Sequence, residues 1–519
     1  MVWLRSLVVV TITQQSRLKK AALLSKLNLW FSYKRYLKGN LKEFKVKTCF
    51  LTINKSKFAL SLATLMAMAT CANASENLAE ALQASTLGAT VFSYYDMDST
   101  EYFPPASRTN RIREHIGGLG AELRFLTGSH YGFKLGLTAQ GLVNFGPSKA
   151  AKDYFAYDWN GEGVALSEAY LGYENEYIDF KIGRQYYNSK YTGLVPPLVA
   201  TNTDVGYKEA FEGVSARIKL DSIDTIIGLA DFWKFAGRSS AVTGGDHGAP
   251  RFKDRVVIGG FGPYGYEFDN IFNSFVEYRG PQGLNFTIAY ANVSGLEYDD
   301  ALNSKGDINF YHAAVGYKSP VLFENANVGA IFMYKGSRTN GSLKENFDFN
   351  GNFYVGMVGL YNAYGFDLAY AYSTVSKNQM ALQGVGNDCG APTATPIYGP
   401  FLFMNFAGMN LHKFSAGYDF SNVGAEGLRL DADYWYGKQH NGSNVRSGGL
   451  HGQAPGTRID VEGWDVQVSY KVPAVKGLKL SAIYETMDRK LKFTGGGSNG
   501  KTTDEELWLR ASYDFDILK

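Results

Sequence analysis

The sequence contains few cysteines, prolines and histidines. Of 519 residues, three are cysteines, 14 are prolines and seven are histidines. Cys49 and Cys71 precede the signal-peptide cleavage site predicted below, so only Cys389 would remain in the mature chain. One cysteine excludes an intramolecular disulfide and a cysteine-based metal site. The histidines show no metal-binding spacing, and only His312 and His412 lie within predicted strands. We therefore predict no metal, no cofactor and no enzymatic activity.

Beyond residue 74, no apolar run is long enough to cross a bilayer as a helix. The apolar run from Phe58 to Ala69 follows two lysines and is followed by Ala72-Asn73-Ala74. This order is typical of a secretory signal peptide, which we place at residues 55–74, with the mature chain starting near Ser75. We interpret residues 1–54 as an upstream extension that results from a misplaced start codon.

The chain also lacks a strong excess of positive charge once this segment is removed. The whole sequence has 52 basic and 49 acidic residues. Residues 1–74 contain 13 Lys or Arg and one acid, which leaves 39 basic and 48 acidic residues and a net charge of −9. This balance gives no support to nucleic-acid binding.

The chain is rich in glycine and aromatic residues, with 58 Gly, 35 Tyr and 34 Phe. Apolar and polar residues alternate in many segments, among them 119–125, 133–139, 428–436 and 464–470. The apolar sets often end in Tyr or Trp, as do the lipid-facing strand surfaces of outer-membrane barrels. A soluble β-sandwich would also alternate, so alternation alone does not decide between the two fold classes.

The order of connections favours the membrane barrel. The alternation predicts eighteen strands, at 86–94, 116–126, 131–145, 164–174, 176–186, 209–220, 222–233, 268–279, 283–293, 308–318, 326–335, 351–361, 363–374, 411–419, 427–436, 460–471, 477–487 and 505–515. Short turns follow the even strands, and long polar loops follow the odd ones. We therefore predict an all-β fold over residues 75–519, a transmembrane antiparallel up-and-down barrel with short periplasmic turns and long extracellular loops.

A barrel of eighteen strands is wide enough for an aqueous channel. The long loop at 187–208 is unusually apolar, and we predict that it folds into the lumen and narrows it. Its predicted site residues are Lys190, Leu194, Pro196, Pro197, Asp204 and Lys208. The Pro-Pro pair stiffens the loop, the apolar residues pack on the inner wall, and the charged residues help to define the narrowest point.

Four segments in this region carry a resemblance to a known family. LSEAYLGYENEYIDFKIGRQ (166–185), PPLV (196–199), TNTD (201–204) and EAFEGV (209–214) resemble the corresponding region of OprD-type porins, also called Opr or Occ porins. The Gly/Tyr-rich style is also similar to porins of the Campylobacter and Helicobacter group. The resemblance implies an outer-membrane protein surrounded by lipid, forming a homotrimer, through which small hydrophilic solutes diffuse passively.

The same resemblance implies a ladder of basic side chains on one lumen wall that guides carboxylates. The positions in this sequence that could form it are Arg124, Lys134, Lys181, Arg184, Arg217, Lys219 and Arg510. Arg184 shares the strand face of the predicted lipid-facing Ile182. It can point into the lumen only if Gly183 permits a β-bulge. The alternative is that Arg184 lies above the bilayer.

Other interpretations remain open. The alternative function is a surface adhesin or receptor barrel that acts through the long loops 234–267, 375–410 and 437–459. The acidic stretch 296–307 lacks the spacing of a calcium loop and is predicted to be a solvated surface loop. GGGSNG at 495–500 matches a dinucleotide-binding motif only formally, because no helix follows it.

Overall fold

The computed structural model describes residues 77–518, apart from several segments in the connections. These segments are 102–110, 154–159, 188–197, 204–205, 241–247, 257–265, 299–303, 324, 382–384, 386–390, 396–405, 441–442, 445–454 and 494–499. The predicted signal peptide, the upstream extension and Cys389 therefore lie outside the described residues.

Eighteen long antiparallel strands form one closed barrel. They are β1 (Thr86–Glu101), β2 (Arg111–Leu126), β3 (Phe133–Phe145), β4 (Gly163–Glu174), β5 (Ile178–Gln185), β6 (Ala210–Leu220), β7 (Thr225–Ala236), β10 (Asn270–Arg279), β11 (Leu284–Tyr298), β12 (Ser304–Lys318), β13 (Asn327–Thr339), β14 (Asn352–Ala363), β15 (Phe366–Val375), β16 (Met409–Asp419), β17 (Leu428–Gln439), β18 (Thr457–Lys471), β19 (Leu478–Phe493) and β20 (Gly500–Leu518). The short strands β8 (Arg255–Val256) and β9 (Tyr266–Glu267) pair within the connection from β7 to β10.

The barrel closes because β1 pairs with both β2 and β20. Thr90 lies opposite Glu122 on one side and opposite Asp514 on the other. Closure leaves no free sheet edge, which a bilayer would not tolerate. The predicted all-β antiparallel barrel of eighteen strands is confirmed.

Short helices precede β1 or lie in the connections between strands: α1 (Leu78–Gln83), α2 (Lys149–Asp153) and α3 (Gly341–Phe347). Helix α1 begins at Asn77, whose side chain accepts a hydrogen bond from the Ala79 amide. The carbonyl of Ala81 accepts a hydrogen bond from Gly128 in the turn between β2 and β3, which fixes α1 to that end of the barrel. Among the described residues, no helix is both long and apolar enough to cross a bilayer.

The tight turns follow the even-numbered strands of the predicted eighteen and lie together at one end of the barrel, as predicted. They include residues 175–177, 221–224, 280–283, 364–365 and 472–477. At Gly283 the backbone has a φ of 81°, and a Cβ would lie 1.9 Å from the Lys318 carbonyl oxygen, so this turn requires glycine.

The strands extend further than predicted at the opposite end. β1 continues to Glu101 rather than residue 94, and β19 continues to Phe493 rather than residue 487. The prediction that the acidic stretch 296–307 is a surface loop is corrected in the same way. Its two ends belong to β11 and β12, where Lys305 pairs with Glu297 at 2.5 Å. These strand ends were missed because a strand beyond the bilayer needs no apolar face, so the alternation fades.

The outer face of the barrel exposes large apolar side chains along its whole circumference. Ile288, Phe332 and Val358 are 67%, 59% and 51% exposed. Such residues on one face of every strand would aggregate in water and are the lipid-facing surface of a transmembrane barrel.

The largest buried apolar cluster lies inside the barrel. Inward-facing apolar residues of β7 and β10–β16 in this cluster, such as Phe275, Phe310 and Met333, are at most 5% exposed. They pack against residues of the connections, including Leu198 and Met380. The connections therefore pack on the apolar side of the lumen. The polar side of the wall borders an open cavity.

A charge on the lipid-facing surface gives a first prediction. Ile288→Arg should reduce the free energy of unfolding in lipid bilayers by about 2–4 kcal/mol, because arginine near the middle of the membrane is poorly solvated. Val321→Arg is the matched control, since Val321 is 64% exposed but lies in a short turn. Denaturant unfolding of both variants measures the difference, and equal losses would argue against a lipid-facing Ile288.

Candidate functional site: the polar wall of the lumen

Glu122 on β2 is the centre of a charged network on the polar wall. Its side chain is 1% exposed, and it accepts hydrogen bonds from Arg124 at 2.5 Å, Lys208 at 2.9 Å and Tyr186 at 2.9 Å. Burial, together with the nearby charges of Glu122 and Glu168, raises the pKa of the Tyr186 hydroxyl, which therefore stays a neutral donor. The buried carboxylate is fully paired, as a buried charge must be.

Lys208 belongs to the predicted constriction loop, and its backbone is also tied to this wall. The Lys208 amide donates to Oε1 of Gln140 at 3.0 Å, and Nε2 of Gln140 donates to the Lys208 carbonyl at 3.3 Å. Gln140 lies opposite Glu122 in the register of β2 and β3. The end of the loop is thus held against the inner face of these two strands.

The network continues across the closure of the barrel. Arg124 donates to Oγ1 of Thr90 at 2.6 Å, and Thr90 donates to Asp514 at 2.6 Å. Lys479 on β19 pairs with the other oxygen of Asp514 at 3.2 Å. Charges of alternating sign therefore run from the loop over β2, β20 and β19, and the uncharged Thr90 of β1 links Arg124 to Asp514.

Arg510 stands further from the turn end of the barrel. It pairs with Asp96 on β1, and its guanidinium lies 5.5 Å from the Tyr94 ring and 4.7 Å from the Trp508 ring. Tyr94 can lie flat on the wall because Gly118 opposite it has no side chain; a Cβ there would lie 2.1 Å from the ring. The aromatic surfaces stabilise the cation and still leave it facing the lumen.

These side chains border one cavity of about 840 Å³. Its charged lining residues are five bases and two acids: Arg124, Lys208, Lys471, Lys479, Arg510, Glu122 and Asp514. Thr90, Gln467, Ser469 and Ser512 add uncharged polar groups. The cavity is large enough for a small organic solute, and its lining has an excess of three positive charges.

Four other predicted ladder residues face the lumen but do not border this cavity. Lys134 pairs with Glu174 at 2.9 Å, and Lys181 lies 4.5 Å from the Tyr170 ring. Arg217 and Lys219 lie on the inner face of β6, beside the turn that leads to β7. They extend the basic surface toward the turn end, so the basic residues form a band near that end with Arg510 above it.

Arg184, unlike the other predicted ladder residues, lies on the outer face of the barrel. In the strand register it lies opposite Ala169, which in turn lies opposite the exposed Leu137, so it shares the outer face. Its guanidinium pairs with Glu212 at 2.9 Å and lies 4.4 Å from the Phe252 ring. Gly183 has a φ of 121°, but the pairing on both sides of β5 continues without a shift, so no bulge turns Arg184 inward.

Most of the predicted constriction-loop residues lie outside the described residues: Lys190, Leu194, Pro196, Pro197 and Asp204. The loop is described on both sides of this gap. Leu198 and Val199 are 1% and 0% exposed, and Leu198 accepts a hydrogen bond from Val385 at 2.7 Å. Tyr187 is buried beside Phe232 and donates to Asn273 at 2.8 Å.

A row of five carboxylates on the inner wall was not recognised from the sequence. Asp98, Glu506, Glu485, Asp465 and Asp433 are cross-strand neighbours on β1, β20, β19, β18 and β17. Lys413 pairs with Asp433 at 3.1 Å, and Thr395 donates to Glu485 at 2.8 Å. The acids are far apart in sequence, so only the strand register brings them together.

Replacing one of these carboxyl groups should stabilise the barrel. Asp465 is 2% exposed and lies between two other carboxylates in the row. Asp465→Asn should raise the free energy of unfolding by up to about 1 kcal/mol, because a buried carboxyl group directly opposite two others is destabilising. Asp431→Asn is the control, since Asp431 pairs with Arg429 at 2.6 Å and its replacement should not stabilise. Equal effects in denaturant unfolding would contradict a destabilising row of carboxyl groups.

Within the described ranges, no group of three or more His, Cys, Asp or Glu residues could hold a metal ion. The geometry of the wall is that of a lined passage: paired charges fixed on rigid strands around an open volume. Such an arrangement can replace part of the hydration shell of a passing ion or polar solute.

No protein-family model matches the sequence, and no curated protein matches it. Solved structures do match. A BenF-like porin from Pseudomonas fluorescens superposes with a TM-score of 0.62 and 14% identity, covering 84% of this chain and 100% of that one. OccD3 of Pseudomonas aeruginosa gives 0.59 and 15%, covering 84% and 92%, and OpdO of the same species gives 0.59 and 16%, covering 85% and 99%. The predicted resemblance is thus confirmed at the level of the fold: the chain folds as an OprD-type porin barrel.

Proposed function

We propose that this chain is an outer-membrane porin that forms a water-filled channel for passive, partly selective diffusion of small hydrophilic solutes and ions. The observation that carries the proposal is the open volume on the polar side of a closed barrel whose outer face is apolar. A membrane barrel with an empty, charged passage conducts unless something blocks it. The fold shared with solved porins supports the same function.

The lining supports a preference for anions, and small carboxylates are the proposed solutes. Five bases against two acids border the cavity. Arginine and lysine side chains bind carboxylates through charge-assisted hydrogen bonds, and Arg510 and Lys479 are each within reach of the open volume. The row of carboxylates has little exposed surface and contacts Thr395 of a connection, so it contributes less to the surface that a solute meets.

The constriction loop remains part of the proposal. We infer that residues 187–208 narrow the lumen, because Leu198 and Val199 pack inside the barrel and Lys208 is bound to the polar wall. Asp204 would lie between these two anchors, and Lys190, Leu194, Pro196 and Pro197 would lie before them, between the buried Tyr187 and Leu198. The loop thus passes from the apolar side of the lumen to the polar side.

The maturation of the chain is proposed from the sequence. Residues 55–74 act as the signal peptide, and the mature protein begins near Ser75, three residues before helix α1. Residues 1–54 are not needed for the barrel. The N-terminal sequence of the protein purified from outer membranes tests this: Ser75 is expected first. A homotrimer is proposed from the porin resemblance, and the mass of the detergent-solubilised complex tests it.

The adhesin alternative is less well supported. Within the predicted surface loop 375–410, Met380, Ala381 and Phe406 are at most 1% exposed and pack inside the barrel. A loop with residues packed inside the barrel offers less surface to a host receptor than a loop that projects from the cell.

The proposal is tested by reconstituting the mature chain in planar lipid bilayers. A porin gives discrete, ohmic conductance steps, and the reversal potential in a salt gradient should show preference for the anion. Absence of steps from a folded preparation would overturn the channel, whereas steps with cation preference would overturn only the carboxylate selectivity.

A further inference from the structure

A second cavity lies on the outer side of the barrel, near the loop ends of β16–β19. Its volume is about 500 Å³. The side chains that matter for its chemistry are Asn410, His412, Lys438, His440, Arg458 and Lys492. It is separate from the lumen cavity and has no part in the proposed channel.

The strand register shows that these side chains face outward. Trp435 on β17 is fully buried in the apolar cluster inside the barrel, so its neighbours Tyr434 and Tyr436 face the other way. Lys438 lies two residues beyond Tyr436 on the same face. Arg458 lies opposite Lys492, on the strand face that Trp464 shares and exposes to 43%.

A collar of aromatic rings lies directly below the cavity. The His412 ring stacks on Tyr436 at 4.6 Å with an interplanar angle of 17°, and Trp464 lies 5.6 Å from Tyr484. Further toward the turn end, the outer face is aliphatic and exposed at Leu430, Val468 and Leu480. Aromatic collars mark the boundary between the hydrocarbon core and the headgroups. The cavity therefore lies at the depth of the lipid headgroups.

The cavity carries more positive than negative charge. Its lining includes Lys438, Arg458 and Lys492 but only one carboxylate, Asp460, which pairs with Lys492. Lys438 is exposed and forms no ion pair within the part of the chain that the structure describes. Asn410 and His440 add further polar groups, and Nδ2 of Asn410 is hydrogen-bonded to Nε2 of His440 at 2.7 Å. Three cations and one carboxylate at headgroup depth are the chemistry that binds a phosphate.

We propose that this cavity binds the phosphate of an anionic lipid in the extracellular leaflet of the membrane. The proposal rests on the outer-membrane location proposed above, but not on conduction. A free phosphate would meet the same side chains. The lipid is favoured because the cavity opens directly above an exposed apolar surface, which would hold the acyl chains of the same molecule.

Native mass spectrometry of the purified barrel in detergent tests the site, with bisphosphorylated lipid A, dephosphorylated lipid A and inorganic phosphate as probes. The barrel should retain phosphorylated lipid A, and Lys438→Gln/Arg458→Gln should weaken retention at least about tenfold. The matched control is Lys490→Gln/Lys501→Gln. It removes the same charge from the same outer face, but from side chains paired with Glu462 and Asp488 outside the cavity. Heat-modifiable migration on gels confirms that each variant is folded.

Three results would overturn the proposal: equal loss of lipid in the two double variants, equal retention of dephosphorylated lipid A, or inorganic phosphate binding as tightly as the lipid. Conductance separates this inference from the proposed function. Lys438→Gln/Arg458→Gln should conduct as the unmodified protein does, so a porin that does not retain the lipid refutes only the lipid site.

Discussion

Replacing Val199 by aspartate is expected to raise single-channel conductance several-fold. Val199 is fully buried and forms a parallel bridge with Val385, on the apolar side of the lumen. An aspartate there would bury an unpaired charge, which costs more free energy than the local packing provides. The loop should leave the wall and widen the passage. Deleting residues 194–199 should have the same effect. Planar-bilayer recordings measure it.

Val475→Asp is the matched control for this prediction. Val475 lies in a short turn and is 41% exposed, so the same substitution leaves the lumen unchanged and should leave conductance unchanged. If Val199→Asp conducts like the control, the loop only covers the outer mouth and does not narrow the channel.

The second large effect concerns ion selectivity. Arg124→Glu/Lys479→Glu should shift the reversal potential in a salt gradient from anion preference to cation preference. The two substitutions turn five bases and two acids around the cavity into three bases and four acids. Fixed charges of one sign in a narrow passage raise the concentration of the opposite ion. Conductance in high salt should change much less, because salt screens the fixed charges.

Lys490→Glu/Lys501→Glu provides the control for selectivity. Both residues lie on the outer face of β19 and β20 and form ion pairs there. The change in total charge is the same, but the lumen is not altered, so the reversal potential should stay near that of the unmodified protein. An equal shift in both variants would show that selectivity comes from the surface rather than from the polar wall.

The fold could be predicted from the sequence because a membrane barrel repeats one simple rule. Each strand must present apolar side chains to lipid, and each turn at one end must be short. Both leave a periodic signal, so all eighteen strands were found. The strand ends beyond the bilayer were not, since they need no apolar face: β20 begins at Gly500, not at residue 505.

The candidate site was less predictable. Alternation identified which residues share a face, so Arg124 and Arg510 were placed on the inner wall and Arg184 was recognised as an exception. Alternation does not reveal which strands have inner faces that pack against the connections inside the barrel. On β11, Ile288 and Ala289 are both apolar, yet the first faces lipid and the second packs inside. The division of the lumen into an apolar and a polar side therefore needed the three-dimensional structure.

The most direct test of the account is to block the channel at one chosen point of the wall. In a Cys389→Ser background, Ser512→Cys places a thiol on the polar wall beside the cavity, and Ala291→Cys places one on the apolar side under the loops. A bulky cationic thiosulfonate reagent added during planar-bilayer recording should reduce the conductance of the Ser512→Cys channel and leave that of the Ala291→Cys channel unchanged. Block at Ala291 without block at Ser512 would contradict a passage along the polar wall.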